Sequence, residues 1–158
     1  MLRIAIFVTL LLMAVGYALR RGGAPERAMA VILCAMLAAD QLLHIFVPVE
    51  FASVDTGHLL IDSAAAAATF LLALAAYRFW TMIAAVLQML PLLAHFSRAM
   101  DLSIHPIAYL TAQVAASWLL LPLLALATWQ HQQRLKQHGS DRSWLISWPW
   151  SIPTEAKN

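Results

Sequence analysis

Apolar side chains run almost unbroken over residues 2–19, 28–47, 57–77, 80–96 and 107–128, and polar or helix-breaking residues collect between the runs. Each run is close to the ~20 residues that a helix needs to cross the hydrocarbon core of a bilayer. A chain in lipid must satisfy its backbone polar groups internally, so the pattern predicts an all-α bundle of five transmembrane helices. The breaks have local causes. Arg20, Arg21, Gly22 and Gly23 end the first run, Pro25 suits the first turn of the second, Pro48 stops it, and Pro106 starts the fifth. Tyr77-Arg78-Phe79-Trp80 is read as a tight turn, because a helix joining its flanking runs, at about 40 residues, is far too long for one crossing. Pro91 and Pro122 fall inside helices four and five, where each frees a backbone carbonyl and introduces a kink. A kink at Pro91 would aim His95.

Composition agrees with a membrane bundle. With 62% apolar and 11% charged residues in 158 and a mean hydropathy of +0.74, this is not a soluble domain. Five spans account for residues 1–129 and leave 130–158 as a tail. Cys34 lies inside an apolar run, so there is no internal disulfide and no paired-thiol motif, and a small buried apolar role is expected. The methionines lack a repeated spacing and read as packing or lipid-facing residues. The basic pI, near 9.0, carries no nucleic-acid signal, because the cations have a topological explanation. Arg20, Arg21, Arg27, Arg78, Arg134, Lys136, Arg142 and Lys157 share one side, against Arg3 and Arg98 on the other. The positive-inside rule then puts the N-terminus outside and the C-terminus in the cytoplasm. Trp80, Trp129, Trp144, Trp148 and Trp150 fall at or beyond the cytoplasmic ends, where indoles anchor at headgroup level. Gly16-Tyr17-Ala18 could pass for a signal-cleavage site, but Arg20 and Arg21 follow at once and resist export, so the first run is read as a helix.

The chemistry concentrates in the outer half. Aspartate and histidine recur four residues apart, as Asp40 with His44, His58 with Asp62, and Asp101 with His105. One helical turn separates each of the first two pairs, so each lies on one face, where a carboxylate can orient or charge an imidazole. Asp40 and Asp62 sit roughly 10 Å inside their helices, too deep for a short side chain to reach water. Each must therefore be neutral, paired, or facing a wet cavity. Glu50 and Asp55 join this side; Asp55 reads as a helix cap, Asp101 with Ser103 as loop-shaping, and His105 as an exposed loop residue. Arg98 reads as interfacial or as the partner of Asp101, and Tyr109 as an aromatic-belt residue. The cytoplasmic half is expected to hold no comparable set.

The candidate core is Asp40, His44, His58, Asp62 and His95. Imidazole plus carboxylate without thiolate suits a transition-metal ion, with the three histidines as ligands and the aspartates as a fourth ligand or as their orienters. Haem held by His44 and His95, with Ala64 to Ala68 making room for the ring, is a second option. Proton relay is a third, with Gln88 and Gln113 as the only deeper polar steps. The rival from a different class is a non-catalytic accessory subunit of a larger membrane complex, in which the same residues form an interhelical hydrogen-bond network. No nucleophile triad and no phosphate-cradling glycine loop is present, so no catalytic residue is assigned.

The tail changes character. Gln130 to His138 reads as a polar helical extension ended by Gly139, with His131 and His138 on solvated surface. Trp144 to Trp150 reads as an interfacial foot or a dock for another membrane protein, with Pro149 and Pro153 preventing a regular helix. The stretches Arg20 to Arg27, Val54 to Asp62, Arg78-Phe79-Trp80 and Ile104 to Tyr109 together resemble small uncharacterised inner-membrane proteins of alphaproteobacteria. The resemblance spans most of residues 20 to 130. It implies a bacterial inner-membrane location and names no activity.

Overall fold

A computed structural model describes residues 2–46, 56–100 and 106–144, except the side chains at 106–110, 112 and 113. Glu50, Asp55, Asp101, His105, Trp148 and Trp150 lie outside the described residues, as do the side chains of Tyr109 and Gln113. The described chain is all-α: α1 (Leu2–Arg21), α2 (Ala24–Phe46), α3 (Thr56–Ala75), α4 (Phe79–Met100) and α5 (Pro106–His138). All five helices are long and apolar enough to cross a membrane. This is a multi-pass membrane bundle.

Each helix packs on its chain neighbours, α5 closes the ring against α1, and α2 also touches α5. The centre is filled by Met29, Leu120 and Leu124, each at most 1% exposed, with Leu33, Leu72 and Ala84 around them. Large apolar side chains such as Leu12, Leu71 and Val86 point outward, more than 60% exposed. That inversion relative to a soluble protein is what lipid-facing helix surfaces require. Small residues set the close approaches. Ala65 and Ala66 are buried on α3, so the alanine run serves helix packing.

Two of the expected boundaries are present, each for a local reason. The α3–α4 turn is as tight as the Tyr77-Arg78-Phe79-Trp80 pattern implies, with Ala76, Tyr77 and Arg78 between the helices. Helix α5 runs on past Trp129 to His138 because Gln130 to Gln137 continue it as a polar extension. Gly139, at φ +70°, stops it, and its N–H bonds the Leu135 carbonyl at 2.9 Å. Two expectations fail on burial. Cys34 is exposed on the outer face of α2 instead of buried. Trp80, expected at headgroup level, is 6% exposed and packs in the core cluster.

The bundle has two chemically distinct ends. One carries the α1–α2 and α3–α4 turns and the end of α5, and is called the basic end. The other carries the α2–α3 and α4–α5 connections, and is called the Asp/His end. At the basic end the α1–α2 turn is held by Gly22 N–H to the Ala18 carbonyl (2.8 Å) and Arg27 N–H to the Gly23 carbonyl (3.0 Å). A side chain on Gly23 would stand 2.9 Å from His131 Cε1 and 3.0 Å from Glu26 Oε2. Gly16 has open space instead. Gly23→Ala is therefore expected to lower the thermal midpoint in mild detergent by the equivalent of about 1–3 kcal/mol of overpacking. Gly16→Ala should leave it unchanged or raise it slightly through helix propensity; equal effects would remove the close-packed turn from the account.

Candidate functional site

At the Asp/His end, depth along each helix brings the acidic and imidazole groups level. Asp40 lies six residues before the end of α2, Asp62 six after the start of α3, and His95 five before the end of α4. At 1.5 Å per residue all three sit about 8–9 Å inside. The carboxylates use that shared level to reach across helices. His58 donates through Nε2 to Asp40 Oδ1 at 3.1 Å, and His95 donates through Nε2 to Asp62 Oδ2 at 3.0 Å. The pairs four residues apart in sequence thus form partnerships between helices: α2 with α3, and α3 with α4.

Asp40, His44 and His58 make a compact group in which one ligand atom from each lies within 4.8 Å of the others. His44 donates through Nδ1 to the Asp40 carbonyl, one turn back, at 2.8 Å. That bond leaves Nε2 with its lone pair in the neutral ring, the form a metal binds. The two imidazoles meet edge to face at 5.1 Å between ring centroids. Gly57 lets Leu43 of α2 pack on the first turn of α3, since a Cβ there would meet the Leu43 side chain at 2.6 Å. Exposure of the three side chains is graded: His44 39%, Asp40 35% and His58 26%.

His95 and Asp62 lie beside that group and are less exposed. His95 is 2% exposed, and Asp62 is close enough to His58 and Asp40 to interact with both electrostatically. The five expected core residues therefore form one partly exposed triad backed by one less exposed pair, of which His95 is buried. The two imidazoles of the haem expectation fall on opposite sides of this division. Arg98, expected at the interface, is buried at 5% exposure on the same helix as His95. Pro91 is buried in α4 one turn before His95. Gln88, 1% exposed, donates to Met36 Sδ at 3.1 Å, tying α4 to α2 at mid-depth.

The basic end corrects the expectation that it holds nothing comparable. Glu26 is wholly buried; its Oε1 accepts from the Trp80 indole at 3.2 Å and stands 4.0 Å from Arg78 Nε. Arg78 reaches Asp141 at 2.6 Å, which also receives His131 Nδ1 at 2.5 Å and Arg134 Nε at 3.1 Å. His131, expected on solvated surface, is 7% exposed. The residues beyond α5 are thus folded back onto the α3–α4 turn. Tyr77 N–H bonds the Ser143 carbonyl at 3.0 Å, and the Arg142 guanidinium lies 5.5 Å over the Tyr77 ring. The Gln132 amide donates to the Arg21 carbonyl, fastening α5 to the end of α1.

No family model matches this chain, and neither curated proteins nor solved structures provide a relative.

Burial by itself would push the Asp141 carboxyl up, but hydrogen bonds from His131 and Arg134 and the charges of Arg78 and Arg134 outweigh it and hold the group below its ordinary value of 3.8. A carboxyl depressed in the folded state contributes stability that is present above its unfolded value and lost as pH falls through the folded one. The thermal midpoint should therefore drop as pH is lowered from about 5 to about 3. Asp141→Asn should lower the midpoint at neutral pH and flatten the acid-side slope. An acid slope identical in the variant would mean that Asp141 does not latch the tail.

Proposed function

We propose that this protein binds a first-row divalent transition-metal ion at the Asp/His end of its membrane bundle, with Asp40, His44 and His58 as ligands. The observation that carries this reading is the convergence of two imidazoles and one carboxylate, from two helices, to within 4.8 Å. Two nitrogens and an oxygen suit zinc, iron, manganese, nickel or copper, and three protein ligands leave positions for water or for exchange with a second donor. A closed structural site would use four ligands and no open face. His44 at the rim gives the ion an aqueous approach. The less exposed His95–Asp62 pair stands behind the triad, where a second carboxylate favours a cation and helps position α3. The excess of arginine and lysine at the other end supports reading this site as lying on the outer face of a bacterial inner membrane.

The proton on His58 Nε2 that now bonds Asp40 must give way if both groups ligate one ion. In the neutral ring that proton moves to Nδ1, and because protons compete with the ion for the same nitrogens and carboxylate, affinity should fall as pH is lowered. Titration of the tag-free, detergent-purified protein with Co²⁺, followed by its visible ligand-field bands and checked by elemental analysis, is expected to saturate near one ion per chain. His58→Ala should weaken binding at least ~10-fold while the helical content persists. His95→Ala should weaken it less. A network that serves only to join helices gives the opposite result: no saturable Co²⁺ binding by the unaltered protein, and a loss of thermal stability as the sole effect of both substitutions.

A further inference from the structure

A concavity separate from the metal site lies between α1 and α5, toward the Asp/His end. It has a volume of about 460 Å³, with Ile4, Val114 and Ala115 on its walls and Phe7 and Trp118 farther in. The Phe7 and Trp118 rings meet at 5.3 Å between centroids, tilted by 54°, so a contact between the two helices fixes the inner part of the groove. Ile4 and Val114 are 65% and 49% exposed, and the apolar walls therefore continue into the outer, lipid-facing surface. Arg3, one turn before Phe7 on the same helix, lines the mouth.

Arg3 is the one charged group among the described residues that line this groove. Helices α1 and α5 contain no aspartate or glutamate along their whole length, so neither wall offers the guanidinium a carboxylate. The side chain is exposed and free to turn toward a ligand in the groove. A guanidinium at the mouth of hydrocarbon walls is complementary to an amphiphile with an anionic head and an apolar chain, and arginine pairs with phosphate oxygens through two parallel N–H···O bonds. We infer that this groove seats one anionic membrane phospholipid, its phosphate against Arg3 and an acyl chain between Ile4 and Val114 and over the Phe7–Trp118 contact. A zwitterionic lipid offers the same phosphate but adds an ammonium, for which α1 and α5 supply no carboxylate; a headgroup of net negative charge leaves no cation unmatched. Free phosphate makes no use of the apolar walls. The lipid spans the α1–α5 seam, where the ring of helices closes. The groove shares no residue with Asp40, His44 and His58, so this inference is independent of the metal reading.

The test uses the intact protein in mild detergent, supplied with mixed micelles of phosphatidylglycerol, with mixed micelles of phosphatidylcholine, or with inorganic phosphate alone. Native mass spectrometry reads retained lipid, and thermal unfolding reads its effect. The expected result is one phosphatidylglycerol retained per chain and a midpoint raised by several degrees over phosphatidylcholine. Arg3→Gln removes the cation from an exposed first-turn position, and Ala115→Trp fills the groove while keeping every charge; each should reduce retention at least ~10-fold. Should Ala115→Trp fail to fold, Arg3→Gln alone decides. Equal retention of the two lipids, undiminished retention by Arg3→Gln or by a folded Ala115→Trp, or the same stabilisation by inorganic phosphate would each overturn the inference.

Discussion

A carboxylate in a bilayer-spanning bundle cannot stand without a partner, and that constraint shapes both ends of this molecule. Asp40 and Asp62 answer it with imidazoles on neighbouring helices. Glu26 answers it with an indole N–H and a nearby guanidinium, and Asp141 with two arginines and a histidine. Between the ends the bundle is held by Leu, Ala and Met packing, which gives little orientational preference among helices already surrounded by lipid tails. The polar pairs are directional, and they therefore set which helix faces which.

The two ends use that requirement differently. At the basic end the groups are enclosed and drawn together by ion pairs, with a turn glycine shaped around them and a returning tail closing over them. Such a set resists change. At the Asp/His end the pairing is graded from a less exposed couple, His95 with Asp62, to a partly exposed triad that includes a rim histidine. A structural joint needs no exposed member, and a ligand site does. The triad also leaves the lone pair of His44 Nε2 available, whereas the ring nitrogen of His131 nearest Asp141 is committed.

Much of the fold was legible because span length is a blunt physical requirement: five apolar runs became five helices, and Pro25, Pro106 and Gly139 marked ends where a backbone without a donor or with a positive φ is needed. The Asp/His residues were legible as a group because charge at depth is rare. Their pairing was not, since a spacing of one helical turn suggests partners on the same helix, whereas the shared depth of Asp40, Asp62 and His95 brings partners from adjacent helices into line. The basic-end network was hidden for a related reason. Arg78 is fully explained by membrane topology when read alone, and nothing local to Glu26 points to Trp80, 54 residues away. The histidine in the tail looked solvated because its partners come from the turn at residues 22–23 and from beyond the helix end.

The most direct test of the metal-site reading is X-ray absorption at the zinc edge of the protein loaded with one equivalent of zinc in detergent or in lipid. The account predicts a first shell of nitrogen and oxygen near about 2.0–2.1 Å, two imidazole rings visible in the outer-shell scattering, and no sulfur. A first shell without imidazole, or one containing sulfur from Cys34, would contradict it.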